Sequence, residues 1–422
     1  MNNNNNSEYK IDKIIKEIEV NKLKNVYNEY NDVITLISKF IIKKKLILYG
    51  GFVINVILPK KLRFYKDYTI NDFDCLSKNP LSDSIELAKI IKEKGYTYIK
   101  IKKAKHQGTY RVYVYGKQIF DISIIKSNIY DNLLKYSKKE KKNLKHYKDK
   151  YNIIPLPIIK KNLYYELSRP EQSGYRWEKI YERLNILNKT YPTPILKIKY
   201  ECIKIPAIYQ LLTKNILEYI KISKNPVIDS FALKIYKKLS LNCCGRVNDY
   251  SKYITILSTD YEQTKNDIIA IIKNKENKLA NYEIDITNRV DKDNLLYTYY
   301  DINIINKEDN TIFNLINIIN VKNECFSINN GAKREYNNFT IGSLDTILYF
   351  LYTTYIYNTI YISDAKIANE KLYYINEYEK YIIDNINNNI LKRLKSNCYG
   401  KINYDDEIKE IWKKKLTLKY IS

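Results

Sequence analysis

At 422 residues, the chain is long enough for two or three domains, each with its own core. Its 45% apolar content excludes a disordered chain, and its formal charge of +25 points to a polyanionic partner, nucleic acid first. Only 9 of the 72 basic residues are Arg, and the abundance of Lys, Asn, Ile and Tyr is that of an AT-rich genome, so codon usage supplies part of the charge. The six cysteines (Cys75, Cys202, Cys243, Cys244, Cys325, Cys398) show no CxxC spacing and are joined by only two histidines, His106 and His146. That pattern argues against a structural zinc site and predicts free thiols in a reducing compartment.

In chain order, residues 1–7 are expected to be disordered, and they lack the apolar core of a secretion signal. Two helices are predicted between residue 8 and about 45, on Ile11, Ile14, Ile15 and Ile18 and then Val33, Ile34, Leu36, Ile37 and Phe40. Residues 1–45 thus form a helical N-terminal region. A strand-like run, Leu46-Ile-Leu-Tyr-Gly-Gly51, leads into a short helix ending near Pro59. A second strand lies in Thr69-Ile-Asn-Asp-Phe-Asp-Cys-Leu-Ser77, followed by a helix over 84–94. Residues 109–122 read as a hairpin with Gly116-Lys117 as its two-residue turn. This mixed α/β unit spans 46–165, with a Lys-dense stretch at 137–151 and Pro155 and Pro157 near its end. Residues 166–280 read as mainly helical. Residues 281–422 form an α/β region with strand-like runs at 296–305 and 311–321, then long helices. The longest apolar stretch, 343–362, carries Asp345, Thr346 and Asn358 and so reads as a buried helix rather than a membrane span.

The chemistry centres on the second strand. Residues two apart in a strand share a face, so Asp72 and Asp74 project together. Asp121, in the apolar strand Gln118-Ile-Phe-Asp-Ile-Ser-Ile-Ile125 of the same sheet, offers a third carboxylate. Clustered carboxylates repel one another and want divalent cations between them. Three such groups suit a two-magnesium site for in-line attack on a phosphate, that is, nucleotidyl transfer. Gly50 and Gly51, opening a helix, let backbone N–H groups approach a triphosphate. The acidic clusters at 260–262, 283–285 and 405–407 have no such companions and read as solvated charge.

A later helix places Trp177, Ile180, Leu184 and Leu187 on one stripe and Arg176, Lys179 and Arg183 on another. The basic stripe is either a solvated face paired with Glu178 and Glu182 or a phosphate contact, and Lys179 and Arg183 are its candidate nucleotide-binding residues. Some of the 44 tyrosines suit base stacking, with nothing in the sequence to single them out.

The motifs Tyr49-Gly-Gly51, Asp72-Phe-Asp-Cys-Leu-Ser77 and Phe120-Asp-Ile-Ser123 resemble those of the DNA polymerase beta-like nucleotidyltransferases. More narrowly, the chain is similar to the poly(A) polymerase catalytic subunits of poxviruses and giant DNA viruses. That similarity rests on Ser168-Arg-Pro, Tyr175-Arg-Trp-Glu-Lys179, Ile341-Gly-Ser-Leu-Asp-Thr-Ile-Leu-Tyr-Phe-Leu351 and Ile411-Trp-Lys-Lys-Lys415. The 21 residues from Gly51 to Asp72 form a longer gap than most of the superfamily shows, as the viral branch does. The resemblance implies an α+β fold: a mixed-sheet nucleotidyltransferase domain, a helical N-terminal part and a degenerate nucleotidyltransferase-like C-terminal domain. It implies template-independent addition of AMP from ATP to mRNA 3′ ends, with two Mg²⁺ or Mn²⁺ ions. Asp72 and Asp74 would hold both ions, Asp121 the one that activates the RNA 3′-hydroxyl, and Gly50 and Gly51 would cradle the triphosphate. The implied partners are a single-stranded RNA 3′ end, ATP, and either a second copy or a processivity subunit; no membrane is implied. The implied location is the host cytoplasm or the virion. A CCA-adding enzyme, an oligonucleotide second-messenger synthase and a non-catalytic RNA-binding subunit of the same fold are the competing readings.

Overall fold

The computed structural model describes residues 4–65, 69–70, 72–104, 106–148, 150–196, 205–237, 254–291, 293, 295–322, 324–330, 338–385 and 397–401. Two compact units divide the chain, Met1–Ile159 and Lys160–Ser422.

The first unit opens with one helix, α1 (Asn4–Lys44), rather than the two helices and disordered start expected from sequence. No Gly or Pro interrupts residues 4–44, so nothing in the backbone breaks it. Then follow β1 (Ile47–Tyr49), α2 (Gly50–Ile57), β2 (Phe73–Ser77), α3 (Pro80–Glu93), β3 (Ile99–Lys103), β4 (Thr109–Val114), β5 (Lys117–Ile124), α4 (Ser127–Glu140) and β6 (Asn152–Ile153). Helix α3 starts four residues before its predicted position because Pro80 takes its first turn, where a missing N–H costs nothing.

The six strands form a mixed sheet in the order β3-β4-β5-β2-β1-β6. β2 is parallel to β5 and antiparallel to β1. The β4–β5 hairpin turns on Tyr115-Gly116, not Gly116-Lys117: Val114 pairs with Lys117, and Tyr115 and Gly116 both have positive φ, 49° and 79°. Such values at both central positions suit the right-handed twist of the strands. Phe40 of α1 meets Phe120, and Phe52 of α2 meets Phe73, so both helices pack on the sheet face that carries these rings.

Helix α5 (Leu156–Leu167) begins in the first unit and continues into the second. Then come α6 (Pro170–Ser173), α7 (Trp177–Thr190), α8 (Ala207–Ser223), β7 (Val227–Ile228), α9 (Asp229–Tyr236), β8 (Thr255–Ser258), α10 (Tyr261–Lys273), β9 (Tyr282–Arg289), β10 (Tyr299–Asn306), β11 (Ile312–Asn320), β12 (Phe326–Asn330), β13 (Thr340–Gly342), α11 (Leu344–Ile356), α12 (Ala365–Asn385) and β14 (Asn397–Tyr399). The eight-stranded sheet runs β14-β12-β13-β7-β8-β11-β10-β9.

Within it, β7-α9-β8-α10-β9-β10-β11 repeats the order and strand directions of β1-α2-β2-α3-β3-β4-β5. The second unit is therefore a topological copy of the first, with further strands added beside β7. Each copy also carries a β-bulge at the matching place: Ile119 is the extra residue of β5, and Leu315 that of β11.

The stretch 343–362 is helical and largely buried, as its polar content suggested, and among the described residues no helix is long and apolar enough to cross a membrane. Cys325 and Cys398 are joined across β12 and β14 with Cα atoms 5.4 Å apart, which corrects the expectation of free thiols at these positions. Cys75 is free and buried. Cys202, Cys243 and Cys244 lie outside the described residues, as does the 411–415 motif.

One buried polar cluster ties α5 to α12 in the second unit. Glu379 accepts from Tyr164 Oη (3.2 Å), Tyr352 Oη (2.8 Å) and Thr193 Oγ1 (2.7 Å), with Lys160 Nζ 3.6 Å away. Removing one partner of such a set strands the others. Glu379→Ala is expected to destabilise by about 3–5 kcal/mol in denaturant unfolding, well beyond an exposed charge on the same helix such as Lys380→Ala.

In the first unit, Leu156 N–H donates to Glu140 Oε2 (2.8 Å), and burial pushes the Glu140 carboxyl up to about 7. Because its folded pKa lies above the unfolded value, folding is favoured most below about pH 4.3 and loses that support as pH rises toward 7. Glu140→Gln keeps the acceptor and loses the charge. It should raise the melting temperature at pH 8 and leave it unchanged at pH 4.

Candidate active site

The site grows out of strand register. Tyr49 on β1 pairs with Asp74 on β2, Asp74 with Asp121 on β5, Asp121 with Arg111 on β4, and Arg111 with Lys102 on β3. Directly paired residues point to the same face, so five side chains form one row across the sheet. Phe73 and Phe120 alternate to the other face, under α1 and α2. The bulge at Ile119 is what brings Arg111 opposite Asp121. Without that extra residue Arg111 would pair with Phe120 and point away.

Asp74 and Asp121 thus sit side by side on neighbouring parallel strands, roughly 4.8 Å apart at the backbone. Asp72, exposed, lies just before β2, where Gln118 Nε2 donates to its Oδ2 at 3.5 Å. Asp121 is buried; Arg111 Nε donates to its Oδ2 at 3.2 Å, and its Oδ1 has no partner. Burial raises the Asp121 carboxyl above its ordinary range, Arg111 opposes that rise, and Asp72 adds to it. Behind the pair, burial first and the two carboxylates next hold the Cys75 thiol well above its usual value. Tyr49 Oη and Thr109 Oγ1 both bond Ser123 Oγ, at 3.0 and 2.9 Å, and so fix the row from below.

Gly50 opens α2 with φ +76°. A Cβ there would overlap Asp74 Oδ2 and stand 2.9 Å from Asp74 Cγ, so glycine suits both the left-handed backbone and the close approach of the acid. Asp74 is thereby placed against the start of α2, and Gly51 occupies that helix's first turn.

The donor set fits a divalent cation. Its hard oxygens include one buried and unpaired, and like-charged groups on one face are stabilised by a cation between them. The ligating oxygens of Asp72, Asp74 and Asp121 do not all lie within 4.8 Å of one another; among the described residues only Glu171, Cys325 and Cys398 do.

Lys179 and Arg183 lie on α7 of the second unit. Trp177, Ile180, Leu184 and Leu187 are buried as the stripe predicted, and Lys179 is exposed. Arg183 is itself buried, which removes the solvated-face reading for that residue. Sequence reasoning missed Arg111, Tyr49 and Ser123. Arg111 sits in a strand that the alternating pattern finds, but its pairing depends on the bulge.

The same row recurs in the second unit as Ile228, Thr255, Asn317, Asp301 and Thr287. Both acids have gone: Thr255 stands where Asp74 does, and Asn317 where Asp121 does. In place of Gly50 is Asp229, which keeps the left-handed backbone (φ 66°) and binds Lys371 Nζ at 2.6 Å.

Residues 35–172 match the family model described as the poly(A) polymerase catalytic subunit. A putative poly(A) polymerase catalytic subunit of African swine fever virus (isolate Pig/Kenya/KEN-50/1950) is 33% identical over 176 residues, 40% of this chain and 35% of that protein. The corresponding putative subunit of Acanthamoeba polyphaga mimivirus is 26% identical over 190 residues, 43% of this chain and 31% of that protein. The matched segment thus spans about a third of the length of these curated relatives. The crystal structure of the Megavirus polyadenylate synthase superposes with a TM-score of 0.75 at 18% identity, covering 99% of this chain and 84% of that one. That likeness shows that the chain shares its α+β fold with that synthase. The resemblance to viral poly(A) polymerase catalytic subunits that the motifs carry is borne out.

The glycine argument is testable by unfolding. Gly116→Ala, at φ +79° with open space around it, should cost only the left-handed penalty of about 1–2 kcal/mol. Gly50→Ala should cost more, and adding Asp74→Ala should return it to the Gly116 level. Equal losses for the two single variants would mean that Asp74 does not press on Gly50.

Proposed function

We propose that this chain adds AMP from ATP to the 3′ end of RNA without a template, as a polyadenylating nucleotidyltransferase. The observation that carries this reading is the registered Asp74–Asp121 pair, with a buried, unpaired Asp121 Oδ1, beside the glycine start of α2. The match of residues 35–172 to the poly(A) polymerase catalytic subunit model supports the same activity.

Asp72, Asp74 and Asp121 would hold two Mg²⁺ or Mn²⁺ ions. When bound, these supply charge neutralisation for the leaving pyrophosphate and make the incoming hydroxyl a better nucleophile. The rest of the work falls to the chain itself. The first N–H groups of α2, at Gly50 and Gly51, would bind phosphate oxygens at the helix start, beside the Asp74 carboxylate. Arg111 holds Asp121 by one oxygen and leaves the other without a partner in the protein. Lys179 and Arg183 of α7 are the further residues proposed to bind nucleotide, the guanidinium suiting a bidentate phosphate contact. The 3′-hydroxyl oxygen attacks the α-phosphorus of ATP, the bond to the β-phosphate oxygen breaks, and pyrophosphate leaves.

The second unit retains the scaffold without the acids, so chemistry is assigned to the first. A non-catalytic subunit would have no reason to hold Asp74 and Asp121 side by side against their repulsion.

Extension of a labelled single-stranded RNA, run separately with each of the four NTPs and Mg²⁺ or Mn²⁺, tests the reading. A ladder with ATP alone is expected. Asp74→Ala should abolish it while leaving thermal stability equal or higher, because a like-charge contact is relieved. Extension by CTP as well would move the assignment to a CCA-adding enzyme. An active Asp74→Ala variant would sink the metal-ligand roles.

A further inference from the structure

We propose that the face of β3 and β4 beside Asp121 is the track along which the single-stranded RNA reaches the site. This rests on the RNA-extending activity proposed above and adds the surface that delivers the primer. The carboxylate row does not stop at Arg111: it runs on to Lys102 at the edge strand, and Lys100, two residues along β3, shares the same face. Both lysines are exposed and make no ion pair among the described residues. Many other cations of the chain do: Lys44 bridges Asp83 and Glu86, Lys78 binds Asp131 and Lys265 binds Glu262. Two unpaired ammonium groups on one side of an edge strand, with Arg111 inward of them, suit successive phosphates.

Between the lysines and the acids stands an aromatic ring. Tyr113 pairs with Lys100 in register, lies under Lys102 Nζ at 5.2 Å from its ring centroid, and donates to Gln118 Oε1 at 3.4 Å. Gln118 in turn reaches Asp72. A half-exposed tyrosine held at both sides offers a fixed face on which an unpaired base can stack.

The sheet order gives the track a direction. α2 and its glycines follow β1, on one side of the acids, whereas β4 and β3 lie on the other. Triphosphate and primer therefore approach from opposite sides, with Asp121, the acid nearer β4, at the primer's end. Lysines on an edge strand also discourage strand-to-strand aggregation, and that simpler role is the alternative the test must separate.

The test is fluorescence anisotropy of a labelled single-stranded RNA without ATP, across a salt series, on the full chain. Lys100→Glu/Lys102→Glu should weaken binding at least tenfold and flatten the log–log salt slope by about 1.4, two phosphate contacts at about 0.7 each. Lys138→Glu/Lys139→Glu, exposed on α4, makes the same change in net charge and should leave the slope near wild type. Tyr113→Ala should lose roughly five- to a hundredfold in affinity, and Tyr113→Phe should recover most of it. In extension assays the β3 pair should raise KM for RNA and leave KM for ATP unchanged.

Equal slopes for the two charge-reversed pairs would overturn the track and leave only a general basic field. A wild-type chain that binds RNA with this pattern but extends nothing would overturn the proposed activity and not the track.

Discussion

Two carboxylates held abreast on parallel strands set the terms for the rest of the first unit. Asp74 and Asp121 face the same way because β2 and β5 pair in that register, and nothing in the sheet can turn one of them aside. Their repulsion is met locally in two ways. Arg111 takes one oxygen of Asp121, and the absence of any side chain at Gly50 gives Asp74 room to lie against the helix start. The remaining oxygen of Asp121 is buried and unpaired, a costly state unless something binds it.

The second unit shows what the scaffold does when the acids are absent. It keeps the strand order, the left-handed residue after the first strand and even the bulge two residues before the position of the third acid. With Thr255 and Asn317 in the row, the repulsion between paired acids is gone, and neutral groups bond one another, as Asn314 does with Asn303 and Asn317 and Asn317 with Thr255. Asp229 places a carboxylate at the helix start, where the first unit has glycine, and Lys371 neutralises it. A phosphate would meet like charge there. The fold therefore tolerates loss of the chemistry, and the chemistry is not what makes the sheet form.

How far the site could be read from sequence follows from which interactions are local. The Gly-Gly start of α2 and the helical stripe of Trp177, Ile180, Leu184 and Leu187 are short-range patterns, and the structure keeps them, whereas Asp72 lies just before the strand that carries Asp74. The errors are equally physical. One residue of turn register misplaced the hairpin, because Tyr115 adopts the positive φ that side chains rarely favour. Helix α1 runs through the gap between two apolar clusters because no residue there stops it. Arg183 carries a charge yet is buried, which a helical wheel with neighbouring glutamates does not reveal.

By itself the sequence determined the residue types of the site and their order: glycines, then two acids two apart, then a third in a later strand. Those follow from covalent spacing and the period of a strand. Only the tertiary structure decided which residues share the row. Pairing the other edge of β2, the one not taken by its sequence neighbour β1, with β5 brought Asp121 beside Asp74 across 47 residues of chain. The Ile119 bulge then chose Arg111 as its companion, and Cys325 met Cys398 by the pairing of β12 with β14. Such contacts depend on long-range register, which is settled by how the whole sheet packs against its helices and not by any stretch of sequence alone.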